Sequence, residues 1–192
     1  MRPFLLLIPA CALAACTSQP TNDTVPAGNA TIVPDAAPTL APLDPPAPGE
    51  PGGLDNDMTP VSEAPFTPDS AQGAANVVQT YYALLGEKNY AGAYKLLEPG
   101  AAGTNARDFA ASFARFSEYH ANIGAPGDVD AGAGQRYVTV PVQVYGRLKE
   151  GGRPFNLRGS ATLHRTEVDG ATLEQKSWHI RSIDVKPLPA GQ

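Results

Sequence analysis

Residues 70–187 read as an α+β domain, three N-terminal helices packed on an antiparallel sheet of three to four strands, behind a long Pro/Ala-rich tether. Three observations carry this expectation. Apolar residues recur at three and four positions across residues 74–116, in stretches that open with Ser or Asn. Beyond Glu118 the period changes to two, most plainly in Val138, Val140, Val142 and Val144. Turn signals at Gly151-Gly152 and Asp169-Gly170 then cut the remainder into strands that can pair in sequence order.

The helices follow from their caps and faces. Ser70 is placed to accept from the first orphan backbone donors of a helix whose buried stripe is Ala74, Val77, Val78, Tyr81, Leu84 and Leu85, ending near Gly86. Asn89 opens a shorter helix with Tyr90, Ala93, Tyr94 and Leu97 on one side, stopped by Pro99-Gly100. Asn105 opens a third, with Asp108 near its positive end and Phe109, Phe113 and Phe116 on one face.

The strands follow from parity. A first strand is expected over residues 119–123, before the Gly-rich stretch 124–134. The valine strand runs into Lys149-Glu150-Gly151-Gly152 and returns as a hairpin with Phe155, Leu157, Gly159, Ala161 and Leu163 on one face. Pairing Val144 with Leu157 sets all four valines against apolar or small partners and sets Tyr137 opposite His164. Gly159 and Ala161 leave room for a helix to approach or for the sheet to bend. Pro141 lacks a ladder donor, so its nitrogen must face solvent, an edge or a bulge. The last strand changes parity between Trp178/Ile180 and Ile183/Val185, which implies a bulge near Arg181-Ser182.

Charge divides the chain. The acidity behind the net charge of -5 belongs to residues 17–69, which carry eight acids and no Lys or Arg; residues 70–192 carry thirteen Lys and Arg against eleven Asp and Glu. No basic block suits nucleic acid. With few residues able to bury an apolar face and Pro denying backbone donors, residues 16–69 read as a disordered tether with a random-coil span of about 40 Å.

At the N-terminus, Arg2 precedes an apolar run over residues 4–13 that closes on Leu13-Ala14-Ala15-Cys16. From Phe4 to Cys16 it would span about 20 Å as a helix, short of a hydrocarbon core of roughly 30 Å. The closing tetrad resembles the bacterial lipoprotein lipobox. That resemblance implies a signal peptide over residues 1–15, cleavage before Cys16 and acylation of the Cys16 thiol, which holds the chain to a membrane once two or three chains are attached. Thr17 in place of Asp implies, by the same resemblance, the outer membrane of a Gram-negative envelope, facing the periplasm. Ala12-Leu13-Ala14 also fits an ordinary signal peptidase, which would release a soluble protein starting at Ala15. Cys11 is removed either way, so no disulfide framework is expected.

Residues 77–97 (VVQTYYALLGEKNYAGAYKLL), the valine strand and the closing Trp178-His179-Ile180 resemble the NTF2-like (SnoaL-like) superfamily over residues 70–187. The resemblance implies a curved sheet wrapped around the helices as a cone, often with a pocket at its open end. A cystatin-like helix-on-sheet fold is the competing resemblance. Residues 188–192 form a tail.

Candidate chemistry is sparse. The residues set to line a cavity or touch a ligand are Tyr81, Phe109, Phe113, Tyr137, His164 and Trp178, with aromatic spacing that equally describes a core. His164, on the polar parity of its strand, would serve as a general acid or base only if it faced a cavity beside Tyr137. His179 is expected to be exposed. No histidine pair has metal-site spacing and no cofactor motif occurs, so neither a metal nor a cofactor is expected. The sequence thus leads to a membrane-anchored envelope lipoprotein whose non-catalytic domain binds an envelope protein or a small apolar ligand, without nucleic acid. The alternatives are a small isomerase or hydrolase using a cavity His or Asp, and a structural envelope spacer.

Overall fold

The computed structural model describes residues 40–57 and 66–187. The expected signal peptide, Cys16, Thr17, the remainder of the expected tether and the tail 188–192 lie outside the described residues.

The three expected helices form where their caps place them. Helix α1 (Ala71–Gly86) is capped by Ser70, whose side chain accepts from Gly73 N. Helix α2 (Tyr90–Lys95) is capped by Asn89 through Gly92 N, and α3 (Ala106–Ser112) by Asn105, which accepts from Arg107 N and Asp108 N. Helix α1 ends at Gly86, as expected, but the left-handed residue that closes it lies further on. Gly86 is still helical, and Lys88 takes the left-handed conformation with φ 61°. Lys88 N donates to Leu85 O and Asn89 N to Leu84 O, a Schellman closure built on a residue with a side chain. Gly86 is needed for proximity instead: a Cβ there would sit 3.2 Å from Tyr119 O.

Five strands follow in one antiparallel sheet: β1 (Phe116–Ile123), β2 (Asp130–Gly132), β3 (Gln135–Leu148), β4 (Pro154–Thr166) and β5 (His179–Pro187). The order is β1-β3-β4-β5, with β2 paired to β3 alone. A single-turn helix, α4 (Leu173–Lys176), with a Thr172/Gln175 capping box, precedes β5. The expectation of three to four strands and three helices is therefore corrected to five and four. The missed elements β2 and α4 are three and four residues long, too short for a period to register.

The β3–β4 hairpin has the expected register, with Val144 opposite Leu157 and Val138 opposite Leu163. Its inner face is the core. Val138, Val140, Val142, Val144, Ala161, Leu163 and Ile180 are at most 1% exposed, packed with Ala74, Val78, Tyr81, Tyr82 and Leu85 of α1. The β5 bulge falls where the parity change puts it: Thr162 faces Ser182 and Leu163 faces Ile180, leaving Arg181 as the extra residue. A second shift, between Phe116 and Glu118, bends β1. The two irregularities curve the sheet around the helices. At Gly159 the close approach comes from β5 and not from a helix, because a Cβ would lie 1.8 Å from Asp184 O.

Residues 40–57, expected as free tether, lie against the outer face of the sheet and belong to the same compact unit as the helices and strands. Gln143, 1% exposed, donates from Nε2 to Pro46 O at 3.1 Å and Gly52 O at 3.3 Å, while its Oε1 accepts from Asn122 Nδ2 at 2.9 Å. Arg147, 6% exposed, donates to Ala41 O and pairs with Glu118 at 3.2 Å. Arg158 pairs with Asp55 at 2.5 Å, and Leu54 is buried. The strap is a compact double turn, with Glu50 N bonded to Ala47 O and Gly49 N to Leu54 O, and with Gly49 and Gly52 at φ 85° and 88°. Its low apolar content does not prevent docking, because what it supplies is carbonyl acceptors for buried polar side chains.

Two stability outcomes follow from these backbone positions. Lys88→Gly should raise unfolding free energy by about 0.5 kcal/mol by relieving the left-handed lysine. Gly159→Ala should lower it by roughly 2 kcal/mol or more by forcing β4 from β5. Urea titrations of the two variants check both signs.

Candidate functional site

Pro141 decides how the first strand ends and what its edge offers. Gly124 N donates to Pro141 O at 2.9 Å, which continues the register of Ile123 opposite Val142. In an antiparallel pair a residue's N–H and C=O point to the same side, and sides alternate along the strand. Gly124, Asn122 and His120 therefore turn their backbone groups toward β3, and Tyr119, Ala121 and Ile123 turn theirs away from it. The close approach of Gly86 to Tyr119 O, on the side away from β3, agrees. The nitrogen of Pro141 faces the position just past Ile123, so the ladder stops where its donor is missing.

Beside this edge lies a groove of about 980 Å³ between α1, β1 and the strap. Helix α1 contributes Gln79 and Tyr82, β1 contributes residues 119–123, and the strap contributes Leu54 and Asn56. Tyr82 is 4% exposed, and its hydroxyl has no hydrogen-bond partner among the described residues. Its ring stacks on Tyr119 at 6.4 Å and meets Tyr81 edge-on at 5.1 Å. Burial pushes the Tyr119 hydroxyl up to about 12, and pushes those of Tyr81 and Tyr82 further up. The three tyrosines are neutral donors at any physiological pH.

A second polar constellation lies on the outer face, at the Gln135 end of the central β3–β4 pair. Tyr137 and His164 are cross-strand partners, as expected, and stack at 4.8 Å. The Nδ1 of His164 is 3.0 Å from Glu98 Oε1, and its Nε2 is 2.6 Å from Gln135 Oε1, which also accepts from Thr166 Oγ1 at 3.1 Å. Glu98 in turn pairs with Arg181 at 3.5 Å, and its backbone N donates to Ile180 O. Both ring nitrogens are engaged and one ring face is covered. The arrangement clamps the chain leaving α2 to β4 and β5, and no ring nitrogen is left for a substrate. His179 is half-buried rather than exposed, held by Glu174 at 2.9 Å and by Ser177 O at 3.1 Å.

The remaining four aromatic candidates lie between the helices and the sheet. Tyr81, Phe109 and Trp178 are buried, and Phe113 packs on Phe109 at 5.1 Å. Trp178 donates its indole N–H to Ser70 O at 3.1 Å, tying β5 to the start of α1. The structure thus brings Tyr137 and His164 together but separates them from the groove. Tyr82 and the edge of β1 escaped the sequence reading; the signal available was Pro141, whose missing donor fixes where β1 stops. Among the described residues no group of three His, Cys, Asp or Glu could hold a metal ion, and no helix is long and apolar enough to cross a membrane.

No family model and no curated protein matches the sequence. Solved structures give a likeness at low identity. An NTF2-like superfamily protein from Salmonella enterica serovar Typhimurium superposes with TM-score 0.47 and 9% identity, over 63% of this chain and 93% of that one. A Novosphingobium aromaticivorans protein described as a "putative aromatic ring hydroxylase" gives 0.48 and 11%, over 65% and 93%. The Kfla4162 protein from Kribbella flavida gives 0.43 and 12%, over 59% and 87%.

The buried tyrosines set an alkaline limit. Each folded-state value is raised, so the stability they contribute is complete below about pH 10, where the unfolded phenol begins to ionise, and is lost as pH climbs toward 12. Urea midpoints measured between pH 8 and 11.5 should hold steady and then fall; a flat profile through pH 11.5 would show these hydroxyls to be solvated.

Proposed function

We propose that this chain is a bacterial envelope lipoprotein, held by acyl chains on Cys16 at the outer membrane and facing the periplasm, whose α+β domain is a non-catalytic binding module. Its partner is a protein, engaged through an extended segment laid along the free edge of β1. The observation that carries this reading is the outward-facing backbone of Ala121 and Ile123 beside an open groove, past the point where Gly86 covers Tyr119 O. An added strand takes its affinity from main-chain hydrogen bonds and its specificity from alternate side chains. Three residues of extended chain cover about 10 Å, matching the run from Ala121 to Ile123. A mixed lining of Gln79, Asn122, Tyr82 and Ile123 suits a polypeptide better than a wholly apolar ligand. The engagement of both His164 nitrogens supports a binding role over acid–base catalysis.

Ala121→Pro separates this mode from the others. The substitution removes an N–H that points away from β3, so the β1–β3 ladder is kept, while a partner strand loses its donor. Photo-crosslinking of the lipidated protein in its own envelope should capture a periplasmic partner whose yield falls at least tenfold in Ala121→Pro at unchanged melting temperature. Equal capture by the variant would sink the edge-pairing mode.

A further inference from the structure

The charge of the folded unit is polarised along β3. At the Gln135 end lie exposed Asp128, Asp130 and Asp169, with Glu167 paired to Arg136 at 2.6 Å and to Arg165 at 3.5 Å. At the Leu148 end lie exposed Arg115, Lys149 and Arg153, opposed nearby by Glu150. Lys149 N donates to Arg115 O at 2.9 Å, which holds the β3–β4 turn against the start of β1. Among the described residues none of these three cations takes part in an ion pair, whereas Arg136, Arg158, Arg165 and Arg181 all do. The fourteen residues of β3 separate the two ends by roughly 45 Å, several times a screening length of about 8 Å, so each end acts on its surroundings independently.

The strap enters at the basic end. Leu40, exposed, sits against the turn, where a Cβ on Gly152 would lie 3.0 Å from Leu40 Cδ2, and Ala41 O accepts from Arg147. The chain that runs back to Cys16 therefore leaves the domain beside Arg115, Lys149 and Arg153. Residues 17–39 span about 75 Å at most, so this end can reach the surface to which Cys16 is attached.

We propose that the end of the domain formed by Arg115, Lys149, Arg153 and Leu40 docks on an anionic lipid surface. The inference rests on the lipid anchor proposed above, which keeps the domain within reach of headgroups. Each cation brought to an anionic surface strengthens partitioning about fivefold, so three acting together suffice for a salt-sensitive second attachment alongside the acyl chains. Docked this way, the acidic end points away from the bilayer, and the groove along β1 remains open at its side.

The test uses residues 17–192, which contain every described residue and lack the acyl-acceptor sulfur, in flotation with vesicles of phosphatidylcholine alone or with one third phosphatidylglycerol. At low salt the protein should bind the anionic vesicles at least tenfold more strongly, and 0.5 M NaCl should abolish the difference. The variant Arg115→Gln/Lys149→Gln/Arg153→Gln should lose at least tenfold in binding. Lys95→Gln/Arg107→Gln/Lys176→Gln, which removes the same charge from exposed positions elsewhere, should keep most of it. Absence of preference for anionic vesicles, or equal losses in the two triple variants, overturns the proposal. Intact-mass analysis of the exported full chain reads the anchor separately: an unmodified Cys16 thiol would overturn the lipoprotein reading and leave the vesicle result standing.

Discussion

Val138, Val140, Val142 and Val144 point inward while Tyr137, Gln143, Tyr145 and Arg147 point outward, and both sets have partners that admit one register only. A slip of one residue between β3 and its neighbours would carry the valines to the outer face and bring Gln143 and Arg147 into the apolar core. The inner partners are α1 and the small residues of β4; the outer partners are the strap carbonyls of Ala41, Pro46 and Gly52. Burying an amide or guanidinium without partners is costly, so the outer face penalises misregistration as the inner face does. Strands with one apolar face are usually aligned from that side alone; here the alignment is enforced twice.

Much of this was legible because the relevant physics is local. Ser70, Asn89 and Asn105 cap helices by bonding backbone donors two or three residues away, and such contacts can be read from adjacent letters. The β3–β4 pairing is nearly as local, since alternation and a four-residue turn fix it. Arg181 was legible as a bulge because the parity of Trp178 and Ile180 conflicts with that of Ile183 and Val185. The strap was not legible. Its partners lie 91 to 106 residues away in sequence and are polar side chains on a face that alternation describes as solvated. Composition registers how much apolar surface a segment can bury, but it does not register that a distant glutamine lacks an acceptor.

The candidate site shows the same division. The Tyr137–His164 pair followed from register, but Glu98, which gives that pair its structural role, comes from the end of α2, where nothing in the spacing marks it. Aromatic residues at helical spacing describe a core and a pocket equally well, and only the three-dimensional packing of Tyr81, Phe109, Phe113 and Trp178 distinguishes the two. The edge of β1 depends on a single proline. Pro141 ends the ladder at Ile123, and Gly86 brings the end of α1 against Tyr119, so the groove borders the edge at Ala121 and Ile123.

The strap also determines how force would travel through the molecule. A pull transmitted from the N-terminal side arrives at Leu40 and first meets the Arg147–Ala41 bond, then the two bonds from Gln143. Detached outward from the turn, these contacts yield one after another, lengthening the connection by up to eighteen residues before any load reaches α1 or the valine face. Under such a pull the segment would act as a mechanical fuse in series with the domain, giving way first and leaving the sheet folded.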